Sequence, residues 1–154
     1  AYEIYQCDWS SDVCSSDLVR LLTPDNMLLD DPIRPSISPK EKLSPGRWVN
    51  MYLEDGQIGA IVCYTYRCNI PTTEAELLSE EIWSDDGIKL ILYSIWSYKK
   101  GCGRKLVEEM LSFYGKYDTR IITLSPKTEM AERFHLSNGA VLLRTNEETV
   151  NYEY

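Results

Sequence analysis

The sequence is poor in metal ligands and in positive charge. Its 154 residues hold one histidine, His135, and five cysteines that contain no C-x-x-C pair, so no zinc-like spacing exists. Lysine and arginine number 16 against 24 acidic residues, which gives a formal charge of -8, and no basic run is long enough to follow a phosphate backbone. These absences argue against nucleic acid and anionic membranes as partners, and no metal is expected.

Long apolar runs are also missing. No stretch reaches the roughly 20 residues of a membrane span, and no segment has the form of a signal peptide. The cysteines are interpreted as reduced thiols, which favours a cytoplasmic protein. At this length we expect a single domain with its own core, over residues 21–154.

The first residues stand apart because of what they resemble. Residues 7–18, CDWSSDVCSSDL, resemble word for word the conceptual translation of a common sequencing-library adapter, a frequent contaminant of metagenomic genes. Residues 1–20 are therefore expected to be artefactual or disordered and take no part in the functional argument.

A proline-rich segment follows. Five prolines within residues 23–46 predict an extended arm or loop with one short turn of helix, because proline disrupts regular helices and central strands. This arm is expected to pack on the surface; the alternative is that it forms a substrate wall.

From Trp48 onward the pattern predicts an α/β (α+β) fold, a mixed central sheet with helices on both faces. Two apolar, β-branched runs joined at Asp55-Gly56 indicate a hairpin, and the second run is apolar enough to be covered on both faces. Thr73, with Glu76 three residues later, predicts the capped start of a short helix. Residues 88–98 then indicate a buried central strand.

The last third continues the alternation of helices and strands. An amphipathic helix follows residue 103, and a strand covers residues 120–124. Ser125-Pro126 has the chemistry of a helix start, and Asn138-Gly139 that of a helix end. Two short strands complete the order, and the last, TVNYEY, is of a kind that can pair across a homodimer.

The segment KKGCGR, residues 99–104, indicates an anionic ligand. It lies between the buried strand and the amphipathic helix, where glycines let the backbone approach a ligand and free N–H groups of the first helical turn attract an anion. A Walker loop and a dinucleotide fingerprint are excluded, because the G-K-S/T ending and the third glycine are missing. The alternative is a turn whose glycines serve geometry and whose lysines serve solubility.

This loop resembles that of the GNAT acyltransferases, whose pyrophosphate loop reads Q/R-x-x-G-x-G/A. Tyr98 stands at the Q/R position, which removes one side chain and keeps the backbone cradle. Residues 134–139, FHLSNG, are similar to the family's F-Y-x-x-x-G, with His135 where many members place a tyrosine near the thioester sulfur. The resemblance implies a GNAT-like sheet and a coenzyme A thioester as ligand.

Four stretches together resemble a narrower family, the malonyl-CoA decarboxylases, whose catalytic domain has a GNAT fold. ERFHLSNGAVLLR is similar to their F-H-L-x-N-G-A, the terminal VNYEY to V-N-Y-x-Y, LYSIWSYKKG to F-Y-S-I-S-x-x-x-x-G, and TLSP to S-L-S-P. The resemblance covers roughly residues 46–154. The family's helical N-terminal domain and its insertion between S-P and F-H-L have no counterpart in this sequence.

The resemblance implies conversion of malonyl-CoA to acetyl-CoA and carbon dioxide. That reaction leaves an enolate, so the site needs donors for the thioester oxygen and an acid for the carbanion. Backbone N–H groups at a bulge near residues 93–95 are the expected donors, and His135 is the expected acid. Thr123 or Ser125 would hold the departing carboxylate or relay the proton. The family implies a catalytic serine in this region, and which of the two is equivalent stays open.

Two other functions stay open. Transfer of an acetyl group to an amine needs a base, and Glu54, Glu74 and Glu76 are interpreted as surface carboxylates. The third function is a non-catalytic acyl-CoA-binding protein. A histidine between apolar residues is by itself more often structural than catalytic. The residues expected to bind the thioester are Tyr93, Ser94, Ile95, Lys99, Lys100, Gly101, Cys102, Gly103, Arg104 and Asn138.

Overall fold

The structure, a computed structural model, describes residues 24–80 and 84–154. The expectation for residues 1–20 falls outside this part of the chain. The strands are β1 (Arg47–Glu54), β2 (Gln57–Arg67), β3 (Lys89–Ser97), β4 (Ile121–Thr123), β5 (Ser125–Pro126), β6 (Val141–Thr145) and β7 (Thr149–Glu153). The helices are α1 (Pro24–Leu29), α2 (Pro39–Lys42), α3 (Glu74–Leu78), α4 (Cys102–Tyr114) and α5 (Glu129–Ser137), with a 3-10 turn at Gly115–Tyr117.

The strands form one mixed, seven-stranded sheet. Its order is β1-β2-β3-β4-β7-β5, and β6 pairs with β7. Strands β1, β2 and β3 are antiparallel neighbours, whereas β3 and β4 are parallel because the chain crosses between them through α4. The mixed sheet with helices that the sequence predicted is confirmed. Within residues 24–80 and 84–154, no helix has the length and apolar character needed to cross a membrane.

The predicted hairpin and its buried strands are confirmed. Asp55 has a φ of 54° and Gly56 a φ of 75°, the pair of positive values that a type I′ turn requires. β2 and β3 are buried along nearly their whole length, as their continuous apolar runs predicted.

Helices cover both faces of the sheet. On one face α4 buries an apolar stripe, and its Tyr114 hydroxyl lies 2.9 Å from that of Tyr64 on β2. Cys63 precedes Tyr64 on the same strand and so points to the other face. There burial and the nearby Asp31 carboxylate of the arm raise the pKa of the Cys63 thiol. The arm and α4 therefore pack on opposite sides.

The proline-rich arm differs from its prediction. It contains two helices instead of one short turn, because Pro24 and Pro39 stand at helix starts, where a missing N–H costs little. Ser38 also forms a capping box with Glu41. The expected surface packing is wrong as well, since three arm side chains join the main core: Met27, Leu28 and Ile37.

An ion pair within the arm is wholly buried. Lys42 Nζ lies 2.8 Å from Asp31 Oδ2, and both side chains are 0% exposed. Lys42 also donates to the carbonyl of Arg34 at 3.0 Å, and Asp31 Oδ1 accepts the N–H of Ile33 at 2.8 Å. Because the ion pair and these hydrogen bonds join different segments of the arm, they fix its conformation.

Two predictions for the last third are wrong. Ser125-Pro126 forms β5 and does not open the last helix; Thr128 caps α5 instead, its hydroxyl accepting the N–H of Ala131 at 3.2 Å. The strand β7 lies between β4 and β6, so TVNYEY has no free edge for pairing across a homodimer. The predicted helix end is confirmed, since Asn138 caps α5 and Gly139 has a φ of 94°.

Candidate active site

The parallel strands β3 and β4 part near the middle of β3. They stay in register as far as Leu92 and Thr123, and the N–H of Leu124 still bonds the Leu92 carbonyl at 2.8 Å. Beyond that point β3 continues beside β2, whereas β5 pairs with β7. A gap therefore opens between the two strands toward the carboxyl end of β3.

A small void of about 10 Å³ lies in this gap, roughly the room that one water molecule needs. The void is lined from β3, from the β4–β5 segment and from α5 by Leu92, Tyr93, Ser94, Ile95, Leu124, Ser125 and His135. Among the described residues, the buried Tyr93 OH and Ser94 Oγ have no hydrogen-bond partner. Buried polar groups without partners are costly, so two residues that line the gap have unused hydrogen-bonding capacity.

β3 bulges at the same place. Leu92 pairs with Tyr64 and Ser94 with the neighbouring Cys63, which leaves Tyr93 as the extra residue. The bulge expected near residues 93–95 is confirmed. A bulge interrupts the ladder and so leaves backbone groups available for other partners; their use as donors to a thioester stays a prediction.

Four side chains beside the gap form one hydrogen-bonded chain. Tyr154 OH lies 2.8 Å from His135 Nδ1, His135 Nε2 lies 2.8 Å from Ser125 Oγ, and Ser125 Oγ lies 2.9 Å from Thr123 Oγ1. The backbone N–H of Tyr152 donates to Thr123 Oγ1 at 3.1 Å. The three residues predicted as catalytic are thus in contact with one another.

These hydrogen bonds have one consistent direction. Ser125 donates to Thr123, so the Ser125 oxygen accepts a proton from His135 Nε2. A neutral imidazole carries a single N–H, and Nδ1 therefore accepts from Tyr154 OH. Burial raises the pKa of Tyr154, which keeps its phenol protonated. The network assigns the Nε2–H tautomer to His135.

His135 is held neutral by its surroundings. It is 2% exposed, and burial holds its pKa well below its ordinary value, because an imidazolium would lose its hydration. Its ring stacks on that of Tyr152, with centroids 5.0 Å apart and planes at 27°. The ring is thus fixed by stacking and by a hydrogen bond at each nitrogen.

The glycine loop lies at the end of the same strand. β3 ends at Ser97 and α4 begins at Cys102, with Gly101 at the N-cap and a φ of 82° that favours glycine. The N–H groups of Gly103 and Arg104 fall in the first helical turn, where no intrahelical acceptor exists. The strand from residue 92 to residue 97 spans roughly 17 Å, so an elongated ligand could contact both the loop and the gap.

The hairpin tip packs against this loop through Glu54. Its carboxylate lies 2.5 Å from Lys105 Nζ and accepts from Cys102 Sγ at 3.5 Å, while its carbonyl accepts from Lys99 Nζ at 3.3 Å. The bond with Lys105 lowers the pKa of Glu54, which is therefore ionised at neutral pH. Arg104 pairs with Glu108 one helical turn later, and Lys100 is exposed.

The other two carboxylates considered as transferase bases are also engaged. Glu74 Oε1 accepts from Ser36 Oγ at 2.5 Å. Glu76 Oε2 accepts the N–H of Thr72 at 2.6 Å, while Thr73 caps α3 as predicted. Both hydrogen bonds lie at the start of α3, where carboxylates favour the helix dipole.

Asn138 has a structural role at the end of α5, and its part in binding the thioester stays a prediction. Its side chain donates to the carbonyl of Phe134 at 2.7 Å and helps to end α5. Sequence reasoning missed two residues that touch the site, Tyr154 and Arg34. The signal for Tyr154 was present in the VNYEY stretch, but nothing local shows that this phenol reaches a histidine 19 residues away.

No protein-family model matches the sequence, and no curated protein matches it significantly. The structure is similar to malonyl-CoA decarboxylase from Agrobacterium vitis, at 15% identity and a TM-score of 0.55, over 73% of this chain and 51% of that one. It is equally similar to malonyl-CoA decarboxylase from Cupriavidus metallidurans, at 14% identity and a TM-score of 0.55, over 73% and 53%. An N-acetyltransferase from Campylobacter jejuni, in complex with acetyl coenzyme A, matches at 13% identity and a TM-score of 0.49, over 75% and 72%.

At these identities the likeness to the two decarboxylases shows a shared fold. The chain spans about half the length of each decarboxylase, 51% and 53%. The fold that the motifs implied, a mixed sheet shared with malonyl-CoA decarboxylases, is thus confirmed.

Proposed function

We propose that this chain binds a coenzyme A thioester and decarboxylates malonyl-CoA to acetyl-CoA. The observation that carries the proposal is the buried chain from Tyr154 through His135 and Ser125 to Thr123, set in the gap between β3 and β4. The glycine loop at the end of β3 supports it, and so does the fold shared with two malonyl-CoA decarboxylases.

Binding begins at the loop. The pyrophosphate lies against the first turn of α4, where the N–H groups of Gly103 and Arg104 and the positive end of the helix dipole favour an anion. The pantetheine arm follows β3, and the thioester oxygen accepts from N–H groups at the Tyr93 bulge. A void of about 10 Å³ does not hold an acyl group, so the side chains lining the gap move apart on binding.

The chemistry uses the hydrogen-bonded chain. The bond between the carboxylate carbon and the methylene breaks, carbon dioxide leaves, and the bonding electrons move into the thioester as an enolate. The carbon then takes a proton from His135 Nε2, directly or through Ser125, while Nδ1 takes the Tyr154 proton. Solvent then returns a proton to His135 Nε2, and Nδ1 gives its proton back to Tyr154, which restores the starting tautomer. Each turnover therefore consumes one proton and releases acetyl-CoA and carbon dioxide.

A neutral histidine suits this role. The enolate is a strong base, so it accepts a proton from a neutral relay. Acetyl transfer to an amine needs in addition a base for the amine. The carboxylates considered for that task, Glu54, Glu74 and Glu76, are engaged at the hairpin tip and at the start of α3.

The test is to incubate the protein with malonyl-CoA and no amine, and to follow acetyl-CoA and carbon dioxide. The proposal predicts equal amounts of both products. His135→Gln should stop turnover, whereas Leu136→Gln, its half-exposed neighbour on α5, should not. No release of carbon dioxide would refute the decarboxylase. Consumption of acetyl-CoA only with an amine pool would then indicate a transferase, and binding without turnover a non-catalytic protein.

A further inference from the structure

Arg34 of the arm reaches the candidate site from the side of the gap. Its Nη2 donates to the carbonyl of Leu124 at 3.0 Å, and its side chain is 9% exposed. Leu124 stands between Thr123 and Ser125 in the chain. The N–H of Leu124 donates to the Leu92 carbonyl of β3. In an extended chain the N–H and the carbonyl of one residue point the same way, so the Leu124 carbonyl also faces β3. The guanidinium therefore lies beside Leu124, one of the residues that line the gap.

The arm holds this side chain in place. The N–H of Arg34 donates to Asp31 Oδ1 at 3.1 Å, and its carbonyl accepts from Lys42 Nζ at 3.0 Å. The guanidinium Nη1 lies 3.7 Å from Glu74 Oε2. The backbone of Arg34 is thus fixed by both members of the buried ion pair, and its position is set before any ligand binds.

Arg34 also differs in charge from its neighbours. Among the described side chains that form hydrogen bonds with residues 123–125, Arg34 is the positively charged one. Asn151 is neutral, and burial lowers the pKa of His135 and keeps it neutral. A ligand with a carboxylate beyond its thioester brings a negative charge into this poorly hydrated gap. Such a charge is costly without a partner, and a guanidinium is the side chain best matched to a carboxylate.

We propose that Arg34 determines specificity, by selecting acyl thioesters of coenzyme A that carry a free carboxylate over uncharged thioesters of the same length. The inference rests on the proposed function to the extent that the thioester binds in the gap. The carboxylate takes the place of the Leu124 carbonyl as the acceptor of Nη2. The contact is made before the carboxylate leaves, so it strengthens substrate binding and does not accelerate its loss.

The experiment compares two probes of equal chain length, malonyl-CoA with a carboxylate and propionyl-CoA without one. Both are titrated by calorimetry into the full chain carrying His135→Gln, which prevents turnover, with and without Arg34→Gln. Arg34→Gln should weaken the binding of malonyl-CoA about ten- to hundredfold and leave the affinity for propionyl-CoA unchanged. Arg34→Lys should keep part of the preference. Arg133→Gln is the matched control, because that exposed arginine on α5 also loses one charge.

A second measurement does not depend on the His135 variant. On the otherwise unaltered chain, Arg34→Gln should raise the KM for malonyl-CoA without lowering kcat, and leave inhibition by propionyl-CoA unchanged. Equal losses of affinity for malonyl-CoA and propionyl-CoA would overturn the inference and make Arg34 a structural support. An unaltered preference for malonyl-CoA would overturn it too.

The outcome also separates this inference from the proposed activity. An Arg34-dependent preference for malonyl-CoA without release of carbon dioxide supports the inference and refutes the decarboxylase. If carbon dioxide is released and the preference for malonyl-CoA survives Arg34→Gln, the decarboxylase is supported and the inference about Arg34 is refuted.

Discussion

Protonation of His135 should govern how the stability of this protein depends on pH near neutrality. His135 is the sole histidine of the chain, so in the unfolded state it alone among the side chains titrates close to the ordinary value of about 6.5. In the folded state burial holds its pKa well below that value. As pH falls from about 7, the unfolded chain binds a proton that the folded chain does not. The free energy of unfolding should therefore fall, until the pH passes the folded-state pKa.

The size of the effect follows from one proton. The slope approaches at most about 1.4 kcal/mol per pH unit, which bounds the loss over two units at roughly 3 kcal/mol. Urea unfolding followed by tryptophan fluorescence between pH 8 and pH 5 measures it. His135→Gln should flatten this part of the curve, and Leu136→Gln should keep it. Equal slopes for the unaltered protein and His135→Gln between pH 7 and pH 5 would refute the buried neutral histidine.

Three further predictions follow from the same contacts. Tyr154→Phe removes the donor to His135 Nδ1 and should lower the free energy of unfolding by about 1–3 kcal/mol. It should also lower malonyl-CoA turnover by about 100-fold or more, and full activity would exclude the phenol from the relay. Gly103→Asp puts a negative charge at the first turn of α4 and should abolish coenzyme A binding in calorimetry; unchanged affinity would refute the loop. Lys42→Met leaves Asp31 buried without its cation and should cost about 3–5 kcal/mol in urea unfolding. Adding Asp31→Leu should recover part of this loss, because it removes the unpaired charge but also the acceptor of the Ile33 N–H. A loss below about 1 kcal/mol for Lys42→Met would contradict the burial of the pair.

Local signals predicted the parts of the fold that depend on a few neighbouring residues. Asp55-Gly56 specifies a turn because both residues tolerate positive φ, and Gly139 ends α5 for the same reason. β3 was identified because its residues are apolar on both alternating sets, which requires cover on both faces. The positions of these elements then brought the glycine loop and the gap onto one strand.

Tertiary contacts decided the elements that were predicted wrongly. Ser125 has good chemistry for a helix cap, but its hydroxyl bonds Thr123 and His135, and Thr128 caps α5 in its place. The arm packs in the core, where a buried ion pair between Lys42 and Asp31 fixes its conformation, and nothing in a proline-rich sequence indicates such a pair.

The candidate site was predicted in part for the same reason. Thr123, Ser125 and His135 were found because motifs of a known family contain them. Tyr154 and Arg34 were missed because each reaches the site through a contact between distant segments, 19 residues apart for Tyr154 and 90 for Arg34. Hydrogen bonds of this separation depend on the finished sheet and leave no periodic pattern in the sequence.

The fate of the carboxyl carbon of malonyl-CoA tests the central claim most directly. Malonyl-CoA labelled with carbon-13 at its free carboxylate is incubated with the protein, without amine, and followed by nuclear magnetic resonance. The account predicts that the label moves to carbon dioxide and bicarbonate while unlabelled acetyl-CoA accumulates, and that His135→Gln abolishes the transfer. Label that stays on the thioester, or leaves it as fast with His135→Gln, would contradict the account.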